Sequence, residues 1–297
     1  MTHDFSHHKP FPIPVVAGPG SQPDDESLDY ITMPSGMDTF RAPPLPEPEE
    51  LVGHQGALAA LHAVLDALRQ TVRGGQPQPV SLRGLSPADL ALVHQVLGEG
   101  EVSAQVLPAP GQAQVQIQES VFAGVWRVLQ QLPDGTVQDT VEVGAIPQLL
   151  HQAAHDDARA PRPDLLSAPP GIMNAQPVLT ELEDHRQRYG LGGAATADAA
   201  QVVNLTLLPL TPEDIGFMDH VLGTGRVLIL SRGYGNCRIT NCQVPHTWRV
   251  VYYNSQDHVI LNSVEVTRLP EVACAAPEDL RDSLERLAEV LDWVTQA

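Results

Sequence analysis

Residues 86–102 read SPADLALVHQVLGEGEV, and residues 211–227 read TPEDIGFMDHVLGTGRV. The two stretches align without a gap at an offset of 125 residues, and seven of their 17 positions are identical. Two shorter matches follow in the same order: VWRV (125–128) with TWRV (247–250), and VEVGAIP (141–147) with VEVTRLP (264–270). Three matches in one order predict two diverged copies of a single module.

Each long match predicts a helix with defined ends. In the first copy Ser86 is the expected N-cap, a proline follows at the first helical position, and Asp89 is the third helical residue. This pattern is a capping box with a carboxylate at the positive end of the helix. Gly98 is expected to end the helix. The second copy repeats the pattern from Thr211 onwards.

Strands are predicted on both sides of each helix. The strands before the helices are PVSLRGL (79–85) and VVNLTLL (202–208). After each helix a meander is expected, with hairpin turns at 133–135 and 254–257. A further helix is expected after Pro147 and after Pro270. Leucine stripes predict amphipathic helices at Leu58, Leu61, Leu65 and Leu68, and at Leu280, Leu284, Leu287, Leu291 and Val294.

The predicted fold class is α+β, with two tandem repeats of a strand-helix-antiparallel meander-helix module. The expected organisation is an extended or partly disordered acidic, Pro-rich leader (1–50), a first repeat (51–156), a linker (157–175) and a second repeat (176–297) with an amphipathic C-terminal helix. The leader and linker are rich in proline, and neither holds a helical or strand period, which is typical of segments without a packed core.

Composition excludes several classes of function. The chain has 297 residues, 36 acidic side chains and 17 basic ones, giving a formal charge of −19. Nucleic acid and anionic membranes are bound mainly by basic surfaces, so we expect neither as a partner. The apolar runs are shorter than the ~20 residues that span a bilayer, and the N-terminus lacks the pattern of a secretory signal. We therefore expect a cytoplasmic protein.

Motifs for catalysis are lacking, whereas one thiol-rich segment leaves two interpretations open. Cys237, Cys242 and His246 form a C-x4-C-x3-H run that could supply three metal ligands. The alternative is that the thiols are buried and inert, because a spacing of five places them on opposite faces of a regular strand. The GEGE segment (98–101) follows a helix, whereas a phosphate loop precedes one, so we interpret it as a turn. The sequence predicts a protein-binding role and no enzyme.

Several segments together resemble the HupH/HyaF hydrogenase-maturation family. They are GPGSQPDDE (18–26), GVWRV (124–128), GIMNAQPVLTEL (171–182) and the long block from SRGYGNCRIT (231–240) to residue 290. The resemblance covers nearly the whole chain and is strongest in the second copy. The first copy has no counterpart of the GYGNC segment.

The resemblance implies a non-enzymatic assembly chaperone without a cofactor. Its implied partner is the small, Fe–S-bearing subunit of a membrane-bound [NiFe] hydrogenase, held as a precursor with a twin-arginine signal before export, alongside a thioredoxin-like maturation protein. Positions that match the family predict partner-binding residues at Gly233, Tyr234, Gly235, Cys237, Trp248, Asn262, Glu265, Asp279 and Ser283. The alternative function is a metal-binding, Fe–S-binding or thiol-redox maturation factor that uses Cys237 and Cys242.

Overall fold

The computed structural model describes residues 53–109, 111, 113–159, 169–191, 200–233 and 235–295. Its helices are α1 (Gln55–Val72), α2 (Pro87–Leu97), α3 (Gln148–Asp157), α4 (Ala175–Leu191), α5 (Pro212–Leu222) and α6 (Pro277–Thr295). Its strands are β1 (Val80–Ser81), β2 (Val102–Val106), β3 (Gln114–Glu119), β4 (Val125–Gln131), β5 (Val137–Val143), β6 (Gln201–Asn204), β7 (Val227–Ser231), β8 (Asn236–Asn241), β9 (Thr247–Tyr253) and β10 (Val259–Val266). None of these helices has the length and apolar character of a bilayer-spanning segment.

All ten strands form one antiparallel sheet in the order β1-β5-β4-β3-β2-β7-β8-β9-β10-β6. The order of the first five strands is mirrored by that of the last five. The two halves meet where β2 pairs with β7, from Val102 opposite Ser231 to Val106 opposite Val227. The protein is therefore a mixed α/β structure built on a single sheet, in which each half presents the same order of strands and the same helix after its first strand.

The predicted helix ends are confirmed in both halves. The backbone N–H of Asp89 donates to the Ser86 side chain at 3.1 Å, and Gly98, with a φ of +56°, is the C-cap that follows α2. In α5 the capping box is complete, because Thr211 and Asp214 each accept a hydrogen bond from the other's backbone N–H. Both hairpins also form as predicted, from β4 to β5 and from β9 to β10.

Three local predictions differ from the structure. The strand expected at 79–85 is only Val80–Ser81, because the chain turns through Gly84 at a φ of +89°. The strand expected at 202–208 becomes the 3₁₀ turn Leu205–Leu207 after β6, since the Asn204 side chain accepts a hydrogen bond from the Thr206 N–H. After Pro270 the chain forms another 3₁₀ turn, Glu271–Ala273, before α6 begins.

Helices pack on both faces of the sheet. Val125 and Trp126 are adjacent in β4 and lie on opposite faces, in different apolar clusters. One face carries α1, α2 and α6 over the first half and α4 and α5 over the second. The other face is covered near its centre by α3 through Leu150 and Ala153. Although α6 follows the second half in sequence, its leucine stripe packs on α1 of the first half.

Parts of the predicted organisation lie outside the described residues. These are the leader (1–50), residues 160–168 of the predicted linker, and Tyr234. Within the described part of the linker, α3 ends at Asp157 and α4 begins at Ala175.

Candidate functional site

Four residues meet at one end of the sheet, and we call this group the acidic corner: Glu101, Glu119, Gly233 and Asp279. Glu101 precedes β2, Glu119 ends β3, Gly233 follows β7, and Asp279 lies in the first turn of α6. Gly233 lies so close to Glu101 that a Cβ atom at this position would overlap the Oε2 atom. The N–H of Arg232 donates to the Glu101 carbonyl at 3.1 Å, which fixes the segment after β7 against the segment before β2.

The carboxyl group of Glu119 forms the floor of the acidic corner. Glu119 is 7% exposed, and its Oε1 atom accepts a hydrogen bond from the Gly124 N–H at 3.1 Å. Its pKa is raised to about 7, mainly by burial and also by the negative charges of Glu101 and Asp279, which together outweigh the hydrogen bonds from the backbone N–H groups of Gly124 and Val102. Near pH 7 the carboxyl group is therefore close to its titration midpoint.

Asp279 and Glu101 are exposed and form the rim of the acidic corner. An oxygen of Asp279 accepts the Ala276 N–H at 3.2 Å, so it also caps α6. Ser283, one turn further along α6, is 1% exposed. Its side chain therefore lies beneath the surface that Asp279 presents.

The second half contains a matching corner with different side chains. Asn241 lies opposite Trp248 as Glu119 lies opposite Trp126. The N–H of Gly225 donates to the Asn241 carbonyl at 2.8 Å, as that of Gly100 donates to the Glu119 carbonyl at 2.7 Å. The backbone arrangement therefore recurs, although the side chain at its centre is an amide in one half and a carboxyl group in the other.

An ion pair fills the second corner. The guanidinium of Arg226, at the position aligned with Glu101, donates from Nε to an oxygen of Asp157 at 2.6 Å. Asn241 donates to the other Asp157 oxygen at 3.0 Å and accepts the Val227 N–H at 2.9 Å. This corner thus contains a cation and an anion in direct contact.

Other predicted site residues share one face of the second half of the sheet. Trp248 lies opposite Glu265 across β9 and β10, and Cys237 lies opposite Tyr252 across β8 and β9. Burial raises the pKa of Cys237 to about 12, while a hydrogen bond with Tyr252 lowers it and the charge of Glu265 raises it. Burial also raises the pKa of Glu265, with a further contribution from Glu271.

Asn262 is 6% exposed, and its backbone N–H donates to the Thr206 hydroxyl at 2.8 Å. Its buried Oδ1 atom has no hydrogen-bond partner among the described residues. Gly235, with a φ of +97°, lies beyond Tyr234 in the segment between β7 and β8. Four predicted contact residues (Cys237, Trp248, Asn262 and Ser283) are thus buried, so in this conformation they support the surface rather than form it.

The thiol-rich segment does not come together. Cys237 belongs to the apolar cluster beneath α3, whereas Cys242 belongs to the cluster beneath α4 and α5. The ring of His246 lies instead against Tyr189, with 4.8 Å between ring centroids. Within the described part of the chain, no three His, Cys, Asp or Glu side chains are arranged to hold a metal ion.

Sequence reasoning missed two members of the acidic corner. Glu101 lies in the GEGE segment, which was interpreted only as a turn, and Glu119 ends a strand of otherwise ordinary alternation. The alignment of Glu101 with Arg226 could have indicated its importance. A reversal of charge at matched positions implies that the surrounding charges differ between the two halves.

A family model described as the C-terminal conserved region of the HupH hydrogenase expression protein matches residues 55–165 and 172–294. The chain belongs to this family. The resemblance predicted from the sequence is thereby confirmed.

Similar full-length proteins of the HupH family carry related names. The chain is 54% identical over 286 residues to the hydrogenase expression/formation protein HoxQ of Cupriavidus necator, covering 96% of this chain and 98% of the relative. It is 45% identical to HupH of Rhodobacter capsulatus (95% and 97% covered) and 32% identical to the hydrogenase-1 operon protein HyaF of Escherichia coli (95% and 96%). A solved HupH structure from Thiobacillus denitrificans is 28% identical with a TM-score of 0.35, covering 40% of this chain and 93% of that one.

Proposed function

We propose that this protein is a non-enzymatic assembly chaperone of the cytoplasm for the small, Fe–S-bearing subunit of a membrane-bound [NiFe] hydrogenase. It holds the precursor, with its twin-arginine signal, before export. The names of the relatives support a role in hydrogenase expression and formation. A thioredoxin-like maturation protein is a second proposed partner.

The acidic corner is the single observation that carries the proposal. It brings two family-matched residues, Gly233 and Asp279, together with the carboxyl groups of Glu101 and Glu119. The net charge of −19 adds a long-range attraction for a basic segment. Electrostatic attraction accelerates association and weakens as the salt concentration rises. Binding of this kind suits a chaperone that must later release its client.

We also infer that the two halves are diverged copies of one ancestral module. The mirrored strand order, the matched capping residues of α2 and α5, and a family model that matches each half support this inference. In this proposal the first copy contributes most of the acidic corner, while the second contributes the Gly233 segment and α6.

Co-purification tests the proposed function. The tagged chain is isolated from cells that express the hydrogenase operon, and bound small-subunit precursor is measured at low and high salt. We expect retention at low salt, a loss on raising the salt, and weaker retention with Asp279→Asn. The control is Glu289→Gln, which removes one exposed charge from the same helix. Equal precursor recovery with cells lacking the tagged chain would exclude the function.

A further inference from the structure

The two matched corners differ by the charge at one aligned position. Glu101 precedes β2 in the first half, and Arg226 precedes β7 at the same offset in the second. In the second corner the guanidinium of Arg226 balances the carboxylate of Asp157. The second corner thus contains its own cation, the guanidinium of Arg226.

The first corner contains carboxyl groups instead, with Glu101 at the position of Arg226 and Glu119 at the position of Asn241. The charged groups that act on Glu119 are the carboxylates of Glu101, from the segment before β2, and of Asp279, from α6. The thiol of Cys274, after the 3₁₀ turn Glu271–Ala273, also interacts with Glu119. An ionised carboxyl group buried without a cation is costly, so these neighbours favour its protonated form.

We propose that the acidic corner is the receptor for a guanidinium group carried by a partner segment. The guanidinium takes the place that Arg226 fills in the second half. Because Glu101 and Asp279 are exposed at the rim, the group can enter from solvent and reach Glu119 at the floor. The inference deepens the proposed function, on which it rests for the identity of the partner.

Arginine suits this corner better than lysine. A guanidinium presents five N–H donors in a planar fork and can bind more than one carboxylate at once. In the second corner, Asp157 accepts one hydrogen bond from the Arg226 side chain and one from the Arg226 backbone N–H. It accepts a third from the side chain of Asn241. Among the described residues no three carboxylates are arranged to hold a metal ion, and divalent cations serve as a control in the test.

The first experiment titrates the full chain with N-acetylarginine amide and follows the Gly124 amide signal by NMR. This N–H is the donor to Glu119, so it reports directly on the floor of the corner. We expect a saturable shift with the arginine compound, a smaller one with N-acetyllysine amide, and none with the neutral isostere N-acetylcitrulline amide. An equal shift with citrulline would overturn the proposal, as would a response to Mg²⁺ or Zn²⁺ alone.

The second experiment measures protons released on binding, by calorimetry in two buffers of different ionisation enthalpy. A bound guanidinium lowers the pKa of Glu119 from about 7, so binding near pH 7 expels up to roughly half a proton. Affinity should therefore rise as the pH increases through 7 and level off above it. Glu119→Gln should abolish the proton release, and release that persists in this variant would contradict the assignment.

The third experiment supplies the cation within the chain. Glu101→Arg reproduces the residue of the second half, so it should move the Gly124 signal towards its bound position and reduce affinity for the arginine compound at least tenfold. Glu99→Arg is the matched control, because it makes the same charge change at an exposed position two residues away. If Glu101→Arg and Glu99→Arg bound the arginine compound with equal affinity, the acidic corner would not be the receptor.

These results also separate the inference from the proposed function. Precursor that co-purifies equally with the wild type and with the Glu101→Arg variant would leave the chaperone function intact and exclude the acidic corner as its contact. Binding of the arginine compound without any precursor recovery would retain the receptor and exclude the hydrogenase small subunit as its source.

Discussion

The Nη1 atom of Arg249 lies 3.2 Å from an oxygen of Asp219, so an arginine in β9 pairs with a carboxylate on helix α5. The aligned arginine of the first half, Arg127, pairs instead with Asp139 in the neighbouring strand β5, at 2.8 Å. His94 of α2 occupies the position aligned with Asp219. The carboxylate partner of this arginine is therefore on the strand in one half and on the helix in the other.

This relocation predicts a charge rescue in the first half. Asp139→Asn should destabilise the protein by about 1–2 kcal/mol, because the partly buried Arg127 loses its ion pair and one of its two hydrogen bonds with this side chain. In the second half, Asp219 occupies the position of His94, and Asn262 occupies that of Asp139. Adding His94→Asp to Asp139→Asn should therefore recover at least half of that loss. Urea unfolding of both single variants and the double variant measures the coupling. Simple additivity of the two single effects would contradict the matched geometry.

Local features of the fold could be predicted from the sequence because they depend on neighbouring residues. Ser86, Thr211 and the glycines after α2 and α5 specify helix ends within a few residues. The turn at Leu205–Leu207 was missed because a single Asn204 hydrogen bond overrides a strand-like pattern.

Long-range arrangements could not be predicted from the same patterns. The leucine stripe of α6 shows that the helix has an apolar face, but it does not reveal that this face packs on α1 of the other half. The pairing of β2 with β7 is equally invisible, since both strands are apolar and either could have formed a sheet edge. The acidic corner depends on both arrangements, which is why Glu101 and Glu119 escaped notice.

Asp214 should be a major contributor to stability. One of its oxygens accepts the backbone N–H groups of Met173, Asn174 and Ala175 at 2.9–3.0 Å, and the other accepts that of Thr211. Burial opposes the ionisation of Asp214, but these hydrogen bonds outweigh it and hold the pKa below its ordinary value. The carboxylate thus joins the start of α4 to the start of α5.

Asp214→Asn should cost roughly 2 kcal/mol or more, because the new amide N–H₂ faces backbone donors instead of accepting from them. Glu213→Gln, at the exposed neighbouring position, is the control and should be nearly neutral. Because the pKa of Asp214 is lowered in the folded state, its contribution is present above the ordinary aspartate pKa and is lost as the pH falls through the folded value. Equal unfolding midpoints for the two variants would refute this role.

The cysteines should be unreactive in the folded protein. Burial raises the pKa of Cys237 and Cys242 to about 12 and that of Cys274 to about 11. Near pH 8 the thiolate fraction of the first two is about a thousandfold below that of an ordinary cysteine. Iodoacetamide should therefore label Cys274 first and the other two only after unfolding in guanidinium chloride. Rapid labelling of Cys237 and Cys242 together in the native state would revive the metal-binding or redox function.

Gly124 should be required for the contact between α6 and the acidic corner. Its φ is +80°, and a Cβ atom there would overlap the Leu280 side chain at the start of α6. Gly135 has a φ of +81° but nothing within 4 Å of the same position, so it isolates the cost of backbone strain from the cost of overlap. Gly135→Ala should cost about 1 kcal/mol from the left-handed backbone alone.

Gly124→Ala should cost roughly 2 kcal/mol more than Gly135→Ala, because Leu280 must be displaced from a packed core position. Displacement of Leu280 would also move Asp279 and the Gly124 N–H, which donates to Glu119. The variant should therefore lose affinity for the precursor proposed as its client as well as stability, whereas Gly135→Ala should retain full affinity. Thermal unfolding and precursor co-purification of the two variants measure both effects. Equal losses of stability would mean that α6 does not pack tightly on this corner, and the rim formed by Asp279 would then have no fixed position above Glu119.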